Sequence, residues 1–163
     1  MALDIKGLDK SHSAEVAELA KIIWNEHFTP IIGREQVEYM LDKFQSEKAI
    51  REQIENHTKY IAVYCDGEMI GYSCYKLETD ALFLSKLYVR SDKRGLGAGK
   101  KLFEHELETA KKEGKSRIYL TVNKHNDLAI SVYKHMGFVC DSSAETDIGG
   151  GFVMDDYIMA YYI

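Results

Sequence analysis

The residues with the clearest chemical capacity are Arg94, Gly95, Leu96, Gly97, Ala98, Gly99 and Lys100, which follow the apolar run Leu87-Tyr88-Val89 after a short polar turn. Glycines at alternate positions let a backbone approach a ligand closely, because no side chain blocks it. A helix opening directly after them leaves its first N–H groups unpaired, and its dipole favours negative charge there. Arg94 adds a fixed positive charge. The local chemistry is that of a phosphate or pyrophosphate cradle, although an ordinary glycine-rich strand-to-helix turn has the same composition.

Spacing narrows the choice. A P-loop needs Gly, four residues, then Gly-Lys-Ser/Thr. Here the first position of that pattern is Arg94, and Lys100 is followed by Lys101. A dinucleotide fingerprint needs G-x-G-x-x-G. Begun at Gly95 it ends on Lys100, and begun at Gly97 it ends on Leu102, so both fail. Arg-x-x-Gly-x-Gly, as Arg94, Gly97 and Gly99, is the pattern that fits.

Further along, Asn126, Ala129 and Tyr133 share one side of a helix at three- and four-residue steps. The small Ala129 leaves room beside a ligand, and Tyr133 can bring its phenol to where Asn126 and that ligand meet. A helix cap, a core alanine and a core tyrosine would read the same way.

The elements that position these residues follow from periodicity and punctuation. A short strand at 3–5 precedes a helix capped by Ser11 or Ser13, with Val16, Leu19, Ala20, Ile23 and Trp24 on its apolar side and Thr29-Pro30 at its end. Helices are expected at 36–44 and 46–57. Lys59–Cys65, Glu68–Leu77 and Ala81–Val89 read as strands, the first two joined by the hairpin signal Asp66-Gly67, and the three together as an antiparallel meander. The glycine loop then opens a helix at 97–113, stopped by Gly114. A buried-type strand at 117–122 leads to a helix capped by Asn126 or Asp127 and ended by Gly137, with Leu128, Ala129, Val132 and Met136 expected inward. Strands at 138–140 and 152–163 flank a polar, glycine-rich loop at 142–151. This order predicts an α/β fold, a single sheet of mixed direction with helices on its faces.

The chain of 163 residues reads as one domain, 1–163, large enough for a substantial core. Its 45% hydrophobic and 29% charged content is that of a globular protein. No apolar run reaches membrane-spanning length, and the N-terminus has no signal-peptide layout, so a cytoplasmic location is expected, with no membrane partner. Twenty-one Lys and Arg against 26 Asp and Glu give a net charge of −5, which disfavours nucleic acid and mildly favours cationic partners. Cys65, Cys74 and Cys140 form no C-x-x-C and no zinc spacing, and the histidines show no ligand spacing. Reduced thiols, mostly buried, and no metal are expected.

Together the two segments resemble the GNAT superfamily of acetyl-CoA-dependent N-acetyltransferases. The likeness rests on Arg94-x-x-Gly97-x-Gly99 and, downstream, Asn126-x-x-Ala129-x-x-x-Tyr133-x-x-x-Gly137-Phe138, with Asp156-Tyr157-Ile158-Met159 similar to the last strand of bacterial members. It spans 81–138 most specifically. The resemblance implies a mostly antiparallel sheet with splayed central strands, the acyl-CoA N-acyltransferase fold. Leu87, Tyr88 and Val89 would offer backbone groups to the pantetheine arm, and the Val89 N–H would polarise the thioester carbonyl. Backbone N–H groups of 94–100 would hold the pyrophosphate, Asn126 would bond the pantetheine, and Tyr133 would protonate the departing thiolate. The amine would attack directly, so no nucleophilic cysteine is required.

The group that deprotonates the amine does not carry over. Glu78 and Asp80 lie near the third strand, and Glu26, His27 and Glu35 lie in the helical region that forms the acceptor pocket in this superfamily. Each reads first as a solvated surface charge. His135 stands where members often have lysine, a difference without evident consequence. The acceptor is expected to be a primary amine. Asp141, Glu145, Asp147, Asp155 and Asp156 would tolerate a small cationic amine such as a polyamine, and a peptide or protein amine is the alternative. A CoA-binding sensor without activity is a competing class, which the intact Tyr133 disfavours. A homodimer is plausible from the superfamily.

Overall fold

The computed structural model describes residues 2–163. Seven strands form one sheet in the order β1-β2-β3-β4-β5-β7-β6. They are β1 (Leu3–Leu8), β2 (Lys59–Cys65), β3 (Glu68–Leu77), β4 (Ala81–Val89), β5 (Arg117–Asn123), β6 (Val139–Gly149) and β7 (Phe152–Tyr162). Every neighbouring pair is antiparallel except β4 and β5. The helices are α1 (Ser13–His27), α2 (Thr29–Ile32), α3 (Arg34–Phe44), α4 (Glu47–Glu55), α5 (Ala98–Lys112) and α6 (Asp127–Met136). No helix among the described residues is long and apolar enough to cross a membrane.

The sheet separates two cores. On one face α1, α3 and α4 bury Val16, Ala20, Trp24, Val37 and Ile50 against Tyr60, Ala62 and Tyr72. On the other, α5 and α6 bury Leu102, Phe103, Ala110 and Tyr133 against Val63, Leu82, Ile118 and Leu120. A strand's side chains alternate between faces, but β4 breaks that alternation once. Cys74 pairs with Lys86 and Tyr75 with Leu84, so Ser85 is an extra residue, a β-bulge. Leu82 and Leu84 before it, and Leu87 and Val89 after it, consequently share the α5–α6 face. Tyr88 is turned to the α1–α4 face.

The parallel pairing of β4 with β5 is short. It runs through Ala81↔Arg117, Leu82↔Ile118 and Phe83↔Tyr119 and then stops. Beyond Phe83 the two strands diverge, leaving the far half of β4 bonded to β3 alone. The splayed central strands implied by the resemblance are present, as is the meander of β2, β3 and β4.

Three expectations are corrected. The segment 142–151 is not a loop: most of it is β6, paired along β7 with two register shifts. Its alternation is hidden because β6 is an edge strand exposed on nearly its whole length. Ile148 is its buried anchor, and its carbonyl oxygen accepts from Tyr39 Oη at 2.6 Å. α1 ends at His27, just ahead of Thr29-Pro30 as expected, and Thr29-Pro30 then opens the separate single turn α2, with Pro30 in the first turn where its missing N–H is harmless. Neither Ser11 nor Ser13 caps α1. Asp9 caps a 3-10 turn just ahead of it by accepting from Ser11 N at 2.9 Å. On α6, Leu128 and Val132 are exposed rather than inward, at 51% and 43%, while Tyr133 is the buried residue of that helix. Cys65 and Cys74 are buried and Cys140 is exposed.

The second core contains an ionisable group. Glu106 of α5 is fully buried, its carboxyl bonded to Ser73 Oγ, with Oε2 unpartnered among the described residues. Burial raises its pKa to about 8. The Ser73 hydroxyl has one proton for two acceptors, Glu106 and the Lys86 carbonyl oxygen at 2.6 Å. With Glu106 protonated, both bonds are made. The folded pKa lies above the unfolded one, so this group's stabilisation is full below pH ~4.5 and declines as pH rises toward 8. Glu106→Gln removes the titration. Its stability relative to the parent protein, from urea unfolding, is expected to rise by up to about 1.4 kcal/mol per pH unit through that window. A pH-independent difference would show that Glu106 is ionised in the fold.

Candidate active site

The gap between β4 and β5 is the centre of a cavity of about 840 Å³ lined from both faces of the sheet. On the α5–α6 side its wall includes Leu87, Val89, Arg94, Gly95, Gly97, Ala98, Gly99, Lys100, Ala129 and Tyr133. On the α1–α4 side it includes Trp24, His27, Phe28, Met40, Phe44, Tyr88 and Asp156. The residues the resemblance assigned to acetyl-CoA binding and transfer line this cavity, except Leu96, which lies outside the wall.

The glycine loop takes the shape its residue types require. Gly95 and Gly97 have φ of +83° and +84°, and a Cβ on either would stand in open space. Gly97 is the N-cap of α5, so the N–H groups of Ala98, Gly99 and Lys100 are the first of that helix and find no acceptor within it. Lys93, Arg94 and Lys100 also line the cavity. Backbone donors unpaired within the helix, a helix N-terminus and three cations meet there, a combination suited to a di-anionic phosphate group.

The backbone at Val89 has a defined direction. Arg90 N donates to Ile70 O at 2.9 Å, which turns that N–H toward β3. Consecutive strand residues alternate, so the Val89 N–H points the other way, into the gap. Gly71 agrees: a Cβ there would meet Tyr88 O at 2.8 Å, placing the carbonyl oxygen of the same peptide on the β3 side. In a trans peptide the N–H lies opposite its carbonyl, and the described chain has no cis peptide. This donor is free because β5 has moved away.

On the other wall, the Asn126 side chain caps α6, accepting from Ala129 N at 3.4 Å, and is 3.0 Å from His27 Nε2. Tyr133 is buried, with its ring against Phe138 at 5.4 Å between centroids, and no protein group hydrogen-bonds its hydroxyl among the described residues. Burial pushes its phenol well above the usual range, with Glu106 adding to the effect. It is the protonated form that faces the cavity at neutral pH.

The α1–α4 lobe is aromatic. Trp24 stacks on Phe28 at 4.1 Å, and both meet the edge of Tyr88, at 5.6 and 5.9 Å. Deeper in, Lys86 is buried with its ammonium donating to Phe44 O at 2.6 Å, Tyr60 Oη at 2.7 Å and Gln53 Oε1 at 3.0 Å. Burial lowers its pKa to about 8, and its three donors are all committed. Sequence reasoning did not find this lysine, which follows Ser85 in a strand whose other residues are apolar.

The candidate bases separate clearly. Glu26 accepts from Ser91 Oγ at 2.7 Å, Glu78 from Tyr119 Oη at 2.8 Å and Asp80 from Ser116 Oγ at 2.9 Å. These three and Glu35 lie outside the cavity wall, where His27 remains. Asp156 lines it instead.

Comparison with known proteins gives the family and the fold. The sequence pattern of the acetyltransferase (GNAT) family matches residues 17–138. The chain belongs to that family. It is an acetyl-CoA-dependent N-acetyltransferase. Among curated relatives, the spermidine N(1)-acetyltransferase of Thermoplasma acidophilum is 24% identical over 160 residues, covering 95% of this chain and 97% of the relative. The spermine/spermidine N(1)-acetyltransferase of Bacillus subtilis is 24% identical over 168 residues, covering 94% of this chain and 97% of the relative. Among solved structures, the PaiA N-acetyltransferase of Thermoplasma acidophilum, determined in complex with coenzyme A, superposes with a TM-score of 0.86 at 21% identity over the full length of both chains. The GNAT fold, a mixed and mostly antiparallel seven-stranded sheet with flanking helices, is therefore shared throughout.

Proposed function

We propose that this GNAT enzyme moves the acetyl group of acetyl-CoA to a primary amine of a small cationic molecule, with polyamines the first acceptors to test, by direct attack in a ternary complex. The observation that carries the reading is the single cavity that passes through the β4–β5 gap, a glycine cradle on one face and an aromatic lobe on the other. Curated relatives of nearly full overlap named for spermidine and spermine support the acceptor class.

Acetyl-CoA, when bound, supplies an activated thioester. The N–H groups of Ala98, Gly99 and Lys100, with Arg94 and the backbone of Gly95, Leu96 and Gly97, hold the pyrophosphate. Leu87, Tyr88 and Val89 offer backbone groups to the pantetheine where β5 has left them unpaired, and Asn126 bonds it from the opposite wall. The Val89 N–H donates to the carbonyl oxygen, where negative charge grows during attack. Tyr133 holds its proton at neutral pH and donates it to the departing sulfur. The aromatic lobe of Trp24, Phe28 and Tyr88 suits a cationic acceptor, since ring faces attract ammonium groups.

Thiol release from acetyl-CoA, followed across spermidine, spermine, shorter alkylamines and a peptide amine, tests the reading. Turnover with the polyamines above the peptide is expected. Tight binding of acetyl-CoA with no turnover on any amine would overturn it.

A further inference from the structure

We propose that Asp156 receives the acceptor's ammonium in the cavity and takes its proton before attack. The inference rests on the reading of the protein as an amine acetyltransferase and deepens it by naming the base.

Asp156 is the single carboxylate among the residues that line the cavity. It lies on β7 directly opposite Asn123, the last residue of β5, with Ala144 of β6 on its other side. By alternation it shares a face with Met154, which packs against the α1–α4 core, and so faces the aromatic lobe rather than the glycine loop. The residue is 5% exposed, yet no hydrogen bond or ion pair reaches its carboxylate from any described residue. Buried carboxylates are normally satisfied. Here the cavity is the remaining source of a donor, and a donor with positive charge suits a carboxylate best.

The charged and titratable surroundings agree. Lys124, just beyond β5, is the nearby cation, but it is paired with Asp155 at 2.8 Å. Asp155 beside it on β7 repels, Tyr88 of β4 faces Asp156, and His27 of α1 stands on the cavity wall bonded to Asn126. Burial, then repulsion from Asp155, raises the Asp156 pKa to about 6, with Lys124 opposing. A carboxylate of that basicity is ionised at neutral pH and accepts a proton more readily than an exposed one.

The step balances. One N–H proton of the ammonium passes to an Asp156 oxygen, and the freed electron pair forms the C–N bond. The C–S bond breaks, and its electron pair takes the Tyr133 proton at sulfur. The nitrogen's second proton restores the Tyr133 phenol, and Asp156 returns its proton to solvent. The sum is ammonium plus acetyl-CoA giving the amide, the free thiol and one proton.

The experiment compares the parent protein, Asp156→Asn and Asp156→Glu with spermidine as acceptor, by thiol release from pH 5 to 9, and with acetyl-CoA by calorimetry. The parent's kcat/KM is expected to rise through about pH 6 and then stay level up to the amine's own pKa of ~10. In Asp156→Asn the rate should fall by about 10²-fold or more near pH 7 and climb with unit slope to pH 9, because the free amine alone reacts. Asp156→Glu should recover part of the level region, and acetyl-CoA affinity should stay within about twofold in all three. A level profile and parent-like kcat in Asp156→Asn would overturn the assignment. A parent protein that binds acetyl-CoA but acetylates no amine would overturn the functional reading and the assignment together.

Discussion

Tyr133→Phe is expected to lower kcat for acetyl transfer by about 10²-fold, the usual contribution of a positioned general acid. Removing the hydroxyl leaves no described protein group unsatisfied, because no described residue hydrogen-bonds to it. The ring remains to pack on Phe138, so stability should be nearly unchanged. Acetyl-CoA affinity should hold within about twofold, since in the proposed mechanism the phenol acts at the departing sulfur. The solvent isotope effect on kcat should shrink in the variant. Thiol-release kinetics, calorimetry and a thermal melt read these separately. A kcat equal to that of the parent would remove Tyr133 from the proton path.

Gly97→Val acts on the other half of the site. A valine at φ of +84° is strained whatever space it meets. Its side chain would project from the N-cap of α5, beside the unpaired N–H groups proposed to hold the pyrophosphate. Acetyl-CoA affinity is expected to fall on the order of 10²-fold, which is ~2.7 kcal/mol of binding. Gly114→Val is the matched control. That residue has φ of +70° with open space around it, at the opposite end of α5. It should destabilise by a similar amount, about 1–3 kcal/mol, and leave acetyl-CoA binding intact. Parent-like affinity in Gly97→Val would refute the placement of the pyrophosphate.

Parts of the site encoded by a few neighbouring residues were legible in the sequence. Gly95 and Gly97 are glycines because their φ is positive, and Asn126 precedes α6 because its side chain caps it. The meander was readable from Asp66-Gly67 and its flanking β-branched residues. Other features misled for physical reasons. Residues 142–151 are polar because β6 is an exposed edge, not because they form a loop. Leu128 and Val132 look like core residues because they are apolar, but they line the cavity and remain exposed. The bulge at Ser85 has no local signature. It shows itself only in the pairing of β4 with β3, yet it decides that Leu87 and Val89 face α5 and α6.

By itself the sequence determined the glycine loop that opens α5, through Arg94, Gly97 and Gly99, and the tyrosine that shares its cavity, because backbone conformation and helix spacing are local properties. The tertiary structure alone decided which acid lines the cavity. Asp156 is one of several acidic residues near the end of the chain and carries nothing in its neighbours to mark it. Its position follows from the long-range register that sets it against Asn123 of β5, beside the gap where β5 leaves β4. Glu26, Glu35, Glu78 and Asp80 were as plausible in one dimension, and the packing puts each of them outside the cavity.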